Sequence, residues 1–165
     1  MGREARGPAR AWVRPTMVLA GLAFVGLAAA QVAGAGERLL RVLDATTGRP
    51  KVTFTVELAQ TFEEQVRGLQ GRPGLSPDSG MLFLYPDAAP RSFWMKDVGF
   101  PLDLVFADGQ GRITEVLEHL PPCVGPVVRC PSYRTGSPAR YVLELAAGQA
   151  AAHGLRLGDR LELVP

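Results

Sequence analysis

Hydrophobic and polar residues alternate along much of the chain after residue 50. In KVTFTVELA, the apolar residues Val52, Phe54, Val56 and Leu58 alternate with polar ones, and this two-residue period predicts a half-buried strand. Short apolar runs predict further strands at GMLFLY, RSFWMK, LDLVFAD, RITEVLE, RYVLEL and GDRLELV. The DGQG sequence before RITEVLE is typical of a hairpin connection. The pattern therefore predicts a domain built mainly of antiparallel strands.

Two segments have the longer period of a helix instead. In TFEEQVRGLQGR, Phe62, Val66 and Leu69 fall on one helical face. Thr61 and Glu64 form the capping box that often begins a helix. AAGQAAAHG predicts a second, shorter helix of small residues. Many short strands with two short helices predict a compact, mainly antiparallel α+β domain, either barrel-like or a sandwich.

The first 35 residues have a different pattern. Four arginines precede an apolar run over residues 17–30, and two Ala-x-Ala sequences follow. A basic head, an apolar stretch and a small-residue exit predict a secretory signal peptide and an exported protein, periplasmic or extracellular. An uncleaved membrane anchor is the alternative, because the run with its flanks approaches the ~20 residues that a span needs. We therefore divide the chain into a signal peptide or anchor (1–35), a linker with the first strand (36–50) and one globular domain (51–165).

The N-terminal segment also accounts for the net charge of +2. It holds four of the 18 basic residues and one of the 16 acidic ones, which leaves 14 basic and 15 acidic residues from residue 36 onward. That part of the chain has a net charge of −1 and no basic stripe or basic-aromatic repeat. The sequence therefore argues against a nucleic-acid binder. It predicts membrane contact only through an uncleaved N-terminal segment.

The two cysteines, Cys123 and Cys130, lie in one proline-rich loop, PPCVGPVVRCP. In an oxidising compartment, such a close pair predicts a structural disulfide. A redox-active or metal-binding pair is the alternative, and it favours Cys-x-x-Cys spacing with histidines nearby. Here six residues separate the cysteines. We therefore predict a disulfide, with no metal site and no cofactor.

Several sequence blocks occur in an order that is typical of one family. They are VELAQTFEEQVRGLQGRPGL, SGMLFLYP, FWMKDVGFPLDLVFAD, GRI, PCVGPVVRCPSY and RYVLELAAGQAAAHGLRLGDRLEL. Together they closely resemble the exported bacterial and archaeal family called domain of unknown function 192, over residues 52–163. The resemblance implies this domain and an exported location, and it implies no activity.

Signals for catalysis are weak along the chain. The two histidines do not form a metal-ligand pattern, and no Gly-x-Ser-x-Gly sequence is present. Asp97 and Asp103 flank one predicted turn, while Glu57 and Glu144 lie on predicted strands. Exported glycosidases use two carboxylates, so a polysaccharide hydrolase is an alternative. No cleft signature accompanies these residues, and we predict no catalytic residue.

The stretch SFWMKD is the best candidate for a binding surface. On a strand, Phe93 and Met95 share one face, while Trp94 and Lys96 share the other. We expect the first face to be core. The second places an aromatic plate beside a cation, which suits a sugar, a carboxylate or a phosphate. The alternatives are that Trp94 is a core residue with Lys96 extending past it, and that Asp103 pairs with Lys96 across a hairpin turn.

Arginines extend this candidate surface. Arg67 and Arg72 lie in the second half of the first predicted helical segment and are candidates for a cationic rim. The alternative is that each is solvated helix surface or caps a helix end. The predicted ligand-binding residues are Trp94, Lys96, Arg72 and Asp103.

A third class of function rests on thioethers. Met81 and Met95 fall in neighbouring predicted strands, and thioethers suit Cu(I) in an exported protein. Two methionines more often fill gaps in a core. A structural or accessory protein without a small ligand is a further alternative. The sequence favours a domain that binds a small molecule or another envelope component noncovalently.

Overall fold

Nine strands and two short helices are formed by the residues that the computed structural model describes, which are 1–2, 36–126 and 129–165. The chain divides into two units, Met1–Val32 and Ala33–Pro165, and all of these elements belong to the second. The predicted signal peptide, apart from its first two residues, lies outside the described residues. Within the described ranges, no helix has the length and apolar character needed to cross a membrane.

The elements follow the chain in a mostly β order. The strands are β1 (Glu37–Leu43), β2 (Pro50–Ala59), β3 (Ser79–Ala89), β4 (Ser92–Trp94), β5 (Leu102–Ala107), β6 (Ile113–Leu120), β7 (Ser132–Arg134), β8 (Ala139–Ala146) and β9 (Arg160–Leu163). The helices are α1 (Phe62–Arg67), between β2 and β3, and α2 (Gln149–Ala152), between β8 and β9. The hydrophobic pattern predicted all of these elements except β7 and β1, and the division of the chain placed a first strand within residues 36–50 without giving its bounds.

Seven of the described strands form one mixed sheet in the order β6-β5-β8-β3-β2-β1-β9. Neighbouring strands are antiparallel except β2 and β3, which are parallel and are connected through α1. The two edges of the sheet approach each other at a bridge between Arg112 and Arg160. The sheet is therefore curled without closing into a barrel. The predicted compact α+β class is confirmed.

A glycine permits this approach of the two edges. Gly111, in the predicted DGQG turn between β5 and β6, has a φ of 78°. Its carbonyl accepts a hydrogen bond from the N–H of Leu161, at 2.8 Å. A Cβ atom at this position would lie 2.7 Å from the Leu161 carbonyl oxygen. Both the backbone conformation and the close contact therefore require glycine.

Apolar side chains pack against both faces of the large sheet. On the first face, residues of β2, β5 and β8 pack with Ala150 of α2 and with Leu155. On the second face, Phe83 and Phe106 pack with Phe93 and Met95 from the segment around β4. Strand β5 lies between β6 and β8, and all six of its residues are buried. The sequence of β5 is consequently apolar except for Asp103.

The face assignment within SFWMKD is confirmed. Phe93 and Met95 are 8% and 1% exposed, whereas Trp94 is 42% exposed. The hairpin between SFWMKD and LDLVFAD, which a pair between Lys96 and Asp103 would require, is not formed, because β4 pairs with β7 in a separate two-stranded sheet. Strand β5 has no free edge for β4, since β6 and β8 occupy both of its sides. The predicted disulfide between Cys123 and Cys130 is present just before β7.

Helix α1 begins as predicted but does not bury its apolar face. Thr61 and Glu64 form the capping box. However, Phe62 is 80% exposed and Val66 is 46% exposed. The helix ends at Arg67, and Gly68, with a φ of 46°, turns the chain away from the helical path. Leu69 thus enters the core without the other two apolar residues.

Candidate functional site

A cleft of about 410 Å³ lies between α1 and the neighbouring strands β2 and β3. Strand β2 contributes Glu57 to its lining, and α1 contributes Glu64 and Arg67. Arg72, from the segment after α1, and Met81 of β3 complete its charged and apolar walls. The volume lies within the range of small-molecule sites.

An ion pair fixes one wall of the cleft. The two terminal nitrogens of Arg72 donate to the two carboxylate oxygens of Glu57, each at 2.5 Å. This hydrogen bonding raises the pKa of the Arg72 guanidinium. A bidentate pair of this kind fixes the orientation of both side chains. The wall is therefore organised before any ligand arrives.

The opposite wall comes from the start and end of α1. One oxygen of Glu64 accepts the backbone N–H groups of Gln60 and Thr61, each at 2.9 Å. The hydrogen bond from Thr61 is the main reason why the pKa of Glu64 is lowered. Arg67 is exposed at the last turn of the helix. Together with the opposite wall, these residues give the lining of the cleft two acidic and two basic side chains. The lining therefore has no net charge.

A row of side chains crosses the second face of the sheet beneath α1. Pairing of the strands aligns Glu57 of β2 with Met81 of β3, and Met81 with Glu144 of β8. Glu144 is buried, and its Oε2 atom has no hydrogen-bond partner among the described residues. Burial raises the pKa of Glu144 to about 8. The carboxyl group is therefore mostly protonated at neutral pH.

Glu144 lines a second, much smaller cavity of about 20 Å³. Phe83, Phe93 and Trp94 form aromatic walls around it, and Gly68 lies directly above the carboxyl group. A Cβ atom on Gly68 would lie 3.3 Å from Cζ of Phe83 and 3.8 Å from Oε2 of Glu144. The absence of a side chain at Gly68 thus leaves the space over the carboxyl group open.

The four residues predicted to bind a ligand do not converge on one concavity. Arg72 lines the cleft, and Trp94 lines the small cavity. Lys96 lines neither of these two spaces, and its ammonium group pairs with the neighbouring Asp97. Asp103 is fully buried on the first face of the sheet.

The alternative that Asp103 pairs with Lys96 is wrong. The two carboxylate oxygens of Asp103 accept the backbone N–H groups of His119 and Ala150, each at 2.9 Å. The second bond caps the start of α2, where Gly148 offers no side chain. Asp103 therefore joins β5, β6 and α2, and we exclude it from the candidate site.

Glu57 and Glu144 were placed on predicted strands, but neither was among the predicted ligand-binding residues. One sequence feature could have indicated that Glu144 is buried: it stands between Leu143 and Leu145 in RYVLEL. A charge within an apolar run indicates a buried carboxyl group only if the strand is covered on both sides. The central place of β8, between β3 and β5, was not predicted.

The methionines proposed for Cu(I) lie in the apolar core. Met81 and Met95 are both buried in the cluster on the second face of the sheet, and packing accounts for both of them. Within residues 36–126 and 129–165, no group of three or more His, Cys, Asp or Glu side chains is placed to hold a metal ion.

Comparison with known proteins places this arrangement in a family. The model for DUF192, a family described as uncharacterized ACR, matches residues 43–163. The chain belongs to the DUF192 family. The resemblance in the sequence blocks is therefore confirmed. No curated protein matches the chain.

Two solved structures are similar to this DUF192 chain. One is a candidate transcription regulator from Sinorhizobium meliloti 1021, at 34% identity and a TM-score of 0.69, with 78% of this chain and 94% of that chain covered. The other is a protein of unknown function from Novosphingobium aromaticivorans DSM 12444, at 31% identity and a TM-score of 0.69, with 80% of this chain and 89% of that chain covered. The DUF192 fold is thus shared across nearly the whole length of both proteins.

Proposed function

We propose that this DUF192 protein binds a neutral, hydroxyl-rich ligand of the saccharide class noncovalently in the cell envelope. The cleft beside α1 is the observation that carries the proposal. Its arginine donors and glutamate acceptors balance to zero charge. A hydroxyl group both donates and accepts hydrogen bonds, so one saccharide satisfies both kinds of side chain.

The arrangement of Arg72 favours this ligand over a small anion. Its guanidinium already forms two hydrogen bonds with Glu57. An incoming carboxylate or phosphate would have to displace Glu57 and would meet its negative charge. A hydroxyl group instead accepts from Arg72 or donates to Glu57 while the ion pair stays intact. We therefore favour the saccharide over the anion.

Two observations support a location in the cell envelope. The N-terminal sequence has the basic, apolar and small-residue order of an export signal. The disulfide between Cys123 and Cys130 is of a kind that persists in oxidising compartments. The Sinorhizobium relative is described as a candidate transcription regulator, but a net charge of −1 over residues 36–165 gives no support for a nucleic-acid ligand here.

The arrangement of carboxyl groups favours binding over hydrolysis. Glu57 and Glu144 lie on one sheet face two strands apart, which separates their backbones by about 10 Å. Met81 stands between them, and the two carboxyl groups line different spaces. A glycosidase needs both groups against one sugar ring. The favoured function is therefore binding without cleavage.

A glycan array followed by calorimetry tests the proposal on the full-length protein. We expect wild type to retain a restricted set of glycans. The Arg72→Met variant should bind them at least tenfold more weakly, because it loses a guanidinium donor and leaves Glu57 unpaired; tenfold corresponds to about 1.4 kcal/mol.

Arg49→Met is the matched control, since Arg49 is exposed in the turn between β1 and β2. It should bind as wild type does. The proposal is wrong if no glycan binds wild type, or if both variants lose binding equally while remaining folded.

A further inference from the structure

We propose that the small cavity beneath α1 is a binding site for a primary ammonium group, with Glu144 as the counter-ion. The cavity shares Arg67 and Gly68 with the cleft, while its carboxyl and aromatic groups belong to it alone. The proposal therefore does not depend on saccharide binding.

The carboxyl group supplies the first argument. Glu144 is buried between Met81 of β3 and Leu104 of β5 in the strand pairing, and Oε2 has no hydrogen-bond partner among the described residues. A buried carboxyl group without a partner is costly for a fold to keep. An ammonium group in the cavity would supply both the missing hydrogen bond and the missing charge.

Charged and titratable groups near Glu144 in the described part of the chain do not already serve as its counter-ion. On α1, Arg67 lines the cavity but is exposed. On β3, Tyr85 is partly buried, and burial is the main reason why its pKa is raised. On β2, Glu57 is occupied by Arg72. Oε2 of Glu144 accepts no hydrogen bond from any of these groups.

Aromatic walls supply the second argument. The rings of Phe83 and Phe93 meet edge to face, with centroids 5.0 Å apart. Trp94 lines the same space. Aromatic faces attract cations, and Trp does so most strongly. Three aromatic rings beside a carboxyl group therefore favour an ammonium group over an anion.

Size and access define the class of ligand. A volume of about 20 Å³ accommodates one group of the size of water or ammonium. The lining residues Val66 and Trp94 are 46% and 42% exposed, which places one side of the cavity at the surface. The ammonium end of a longer amine can thus enter while its chain remains outside.

Binding of a cation at this site should release the proton of Glu144, which can be measured. The carboxyl group of Glu144 is mostly protonated at pH 6, because its pKa is about 8. A cation must displace that proton to form an ion pair. Affinity should therefore rise about tenfold per pH unit below the pKa and level off above it. A neutral ligand that only accepts a hydrogen bond from Glu144 would release no proton.

The test uses methylammonium chloride and the full-length chain in the Trp12→Phe background, which leaves Trp94 as the single tryptophan. We expect a saturable change in Trp94 fluorescence with methylammonium. Sodium chloride at the same ionic strength should give none, and tetramethylammonium should be too large. Calorimetry at pH 6 in two buffers of different ionisation enthalpy should show close to one proton released per cation bound.

Two variants make the result decisive. Glu144→Gln keeps the shape and removes the charge, so it should abolish both methylammonium binding and proton release. Glu118→Gln is the matched control on the exposed part of β6 and should behave as wild type. Equal responses to methylammonium and sodium in wild type, or binding without proton release, would overturn the proposal. If Glu144→Gln fails to fold, the selectivity of wild type for methylammonium over sodium and tetramethylammonium, together with the proton count, decides the question.

Discussion

Phe93 and Trp94 are adjacent in the chain but have different surroundings. The ring of Phe93 packs edge to face against Phe83 and Phe106, at centroid distances of 5.0 and 5.8 Å. Trp94 is 42% exposed and lines the small cavity. Because successive side chains of a strand point to opposite faces, Phe93 packs in the core while Trp94 lies partly at the surface.

Substitutions in SFWMKD should separate stability from surface roles. Phe93→Ala should lower the free energy of unfolding by about 3–5 kcal/mol, because it removes a buried ring. Lys96→Ala should change it by less than about 1 kcal/mol, since its ion pair with Asp97 is partly exposed. Chemical denaturation measures both effects. A silent Phe93→Ala together with an unfolded Trp94→Ala would reverse the assignment of faces.

The pKa of Glu144 predicts how stability depends on pH. Its folded-state value of about 8 lies above the ordinary value of 4.5. Below pH 4.5 both the folded and the unfolded state are protonated, so Glu144 has no effect. Between pH 4.5 and 8 the unfolded state loses the proton and the folded state keeps it, so stability falls as pH rises. The loss, roughly 5 kcal/mol, should be complete above pH 8.

Glu144→Gln isolates this contribution in urea denaturation at several pH values. The variant should lose the decline between pH 4.5 and 8 and should exceed wild type in stability at pH 8. Asp44 affects stability in a separate pH range. Its pKa is lowered to about 2, mainly by the backbone hydrogen bond from Thr47. Its stabilising effect is lost as pH falls below about 4. Identical pH profiles for wild type and Glu144→Gln would contradict the raised pKa.

At the scale of elements, local signals in the sequence were sufficient for α1 and its cap. Thr61 and Glu64 are three residues apart and meet within one helical turn. The burial of α1 depends on where the chain turns at Gly68, and the helical period continues past that point to Leu69. Sequence therefore predicted the helix and its start but not its exposed face.

Strand pairing was harder to predict than strand position. The apolar runs of β5 and β8 predicted two strands, and their hydrogen bonding to each other joins distant parts of the chain. The partner of β4 is β7, a three-residue strand without an apolar run. The cleft and the small cavity depend on long-range pairing of the same kind, because that pairing aligns Glu57, Met81 and Glu144. Candidate residues were visible in the sequence, but their neighbours were not.

The disulfide should be complete in protein recovered from cells. Alkylation under denaturing conditions should find no free thiol, because Cys123 and Cys130 are bonded to each other. Reduction should lower the free energy of unfolding by about 2.5 kcal/mol, the chain-entropy value for so short a loop. Mass spectrometry counts the alkylated cysteines. Two alkylated residues in untreated protein would contradict the pairing.

At the scale of the whole molecule, processing of the N-terminus tests the predicted export. Each Ala-x-Ala sequence is followed by a residue at which the mature chain should begin, Gln31 or Gly36. N-terminal sequencing of protein from the envelope fraction measures this directly. Retention of residues 17–30 would indicate an anchored protein, and recovery from the cytosol would contradict export.

The position of β9 in the sheet has a consequence for the timing of folding. This last strand pairs with β1, the first, and the turn before it carries Asp159, which bonds Lys51 at 2.7 Å and the N–H of Ala45 at 2.9 Å. Nascent chains that lack β9 leave one side of β1 unpaired, so the sheet cannot be completed until translation has passed Leu163. Such a delay would keep the chain unfolded during the export that its N-terminal sequence predicts. A truncation after Gly158 should accordingly remain sensitive to protease, and a resistant truncated domain would show that folding does not wait for β9.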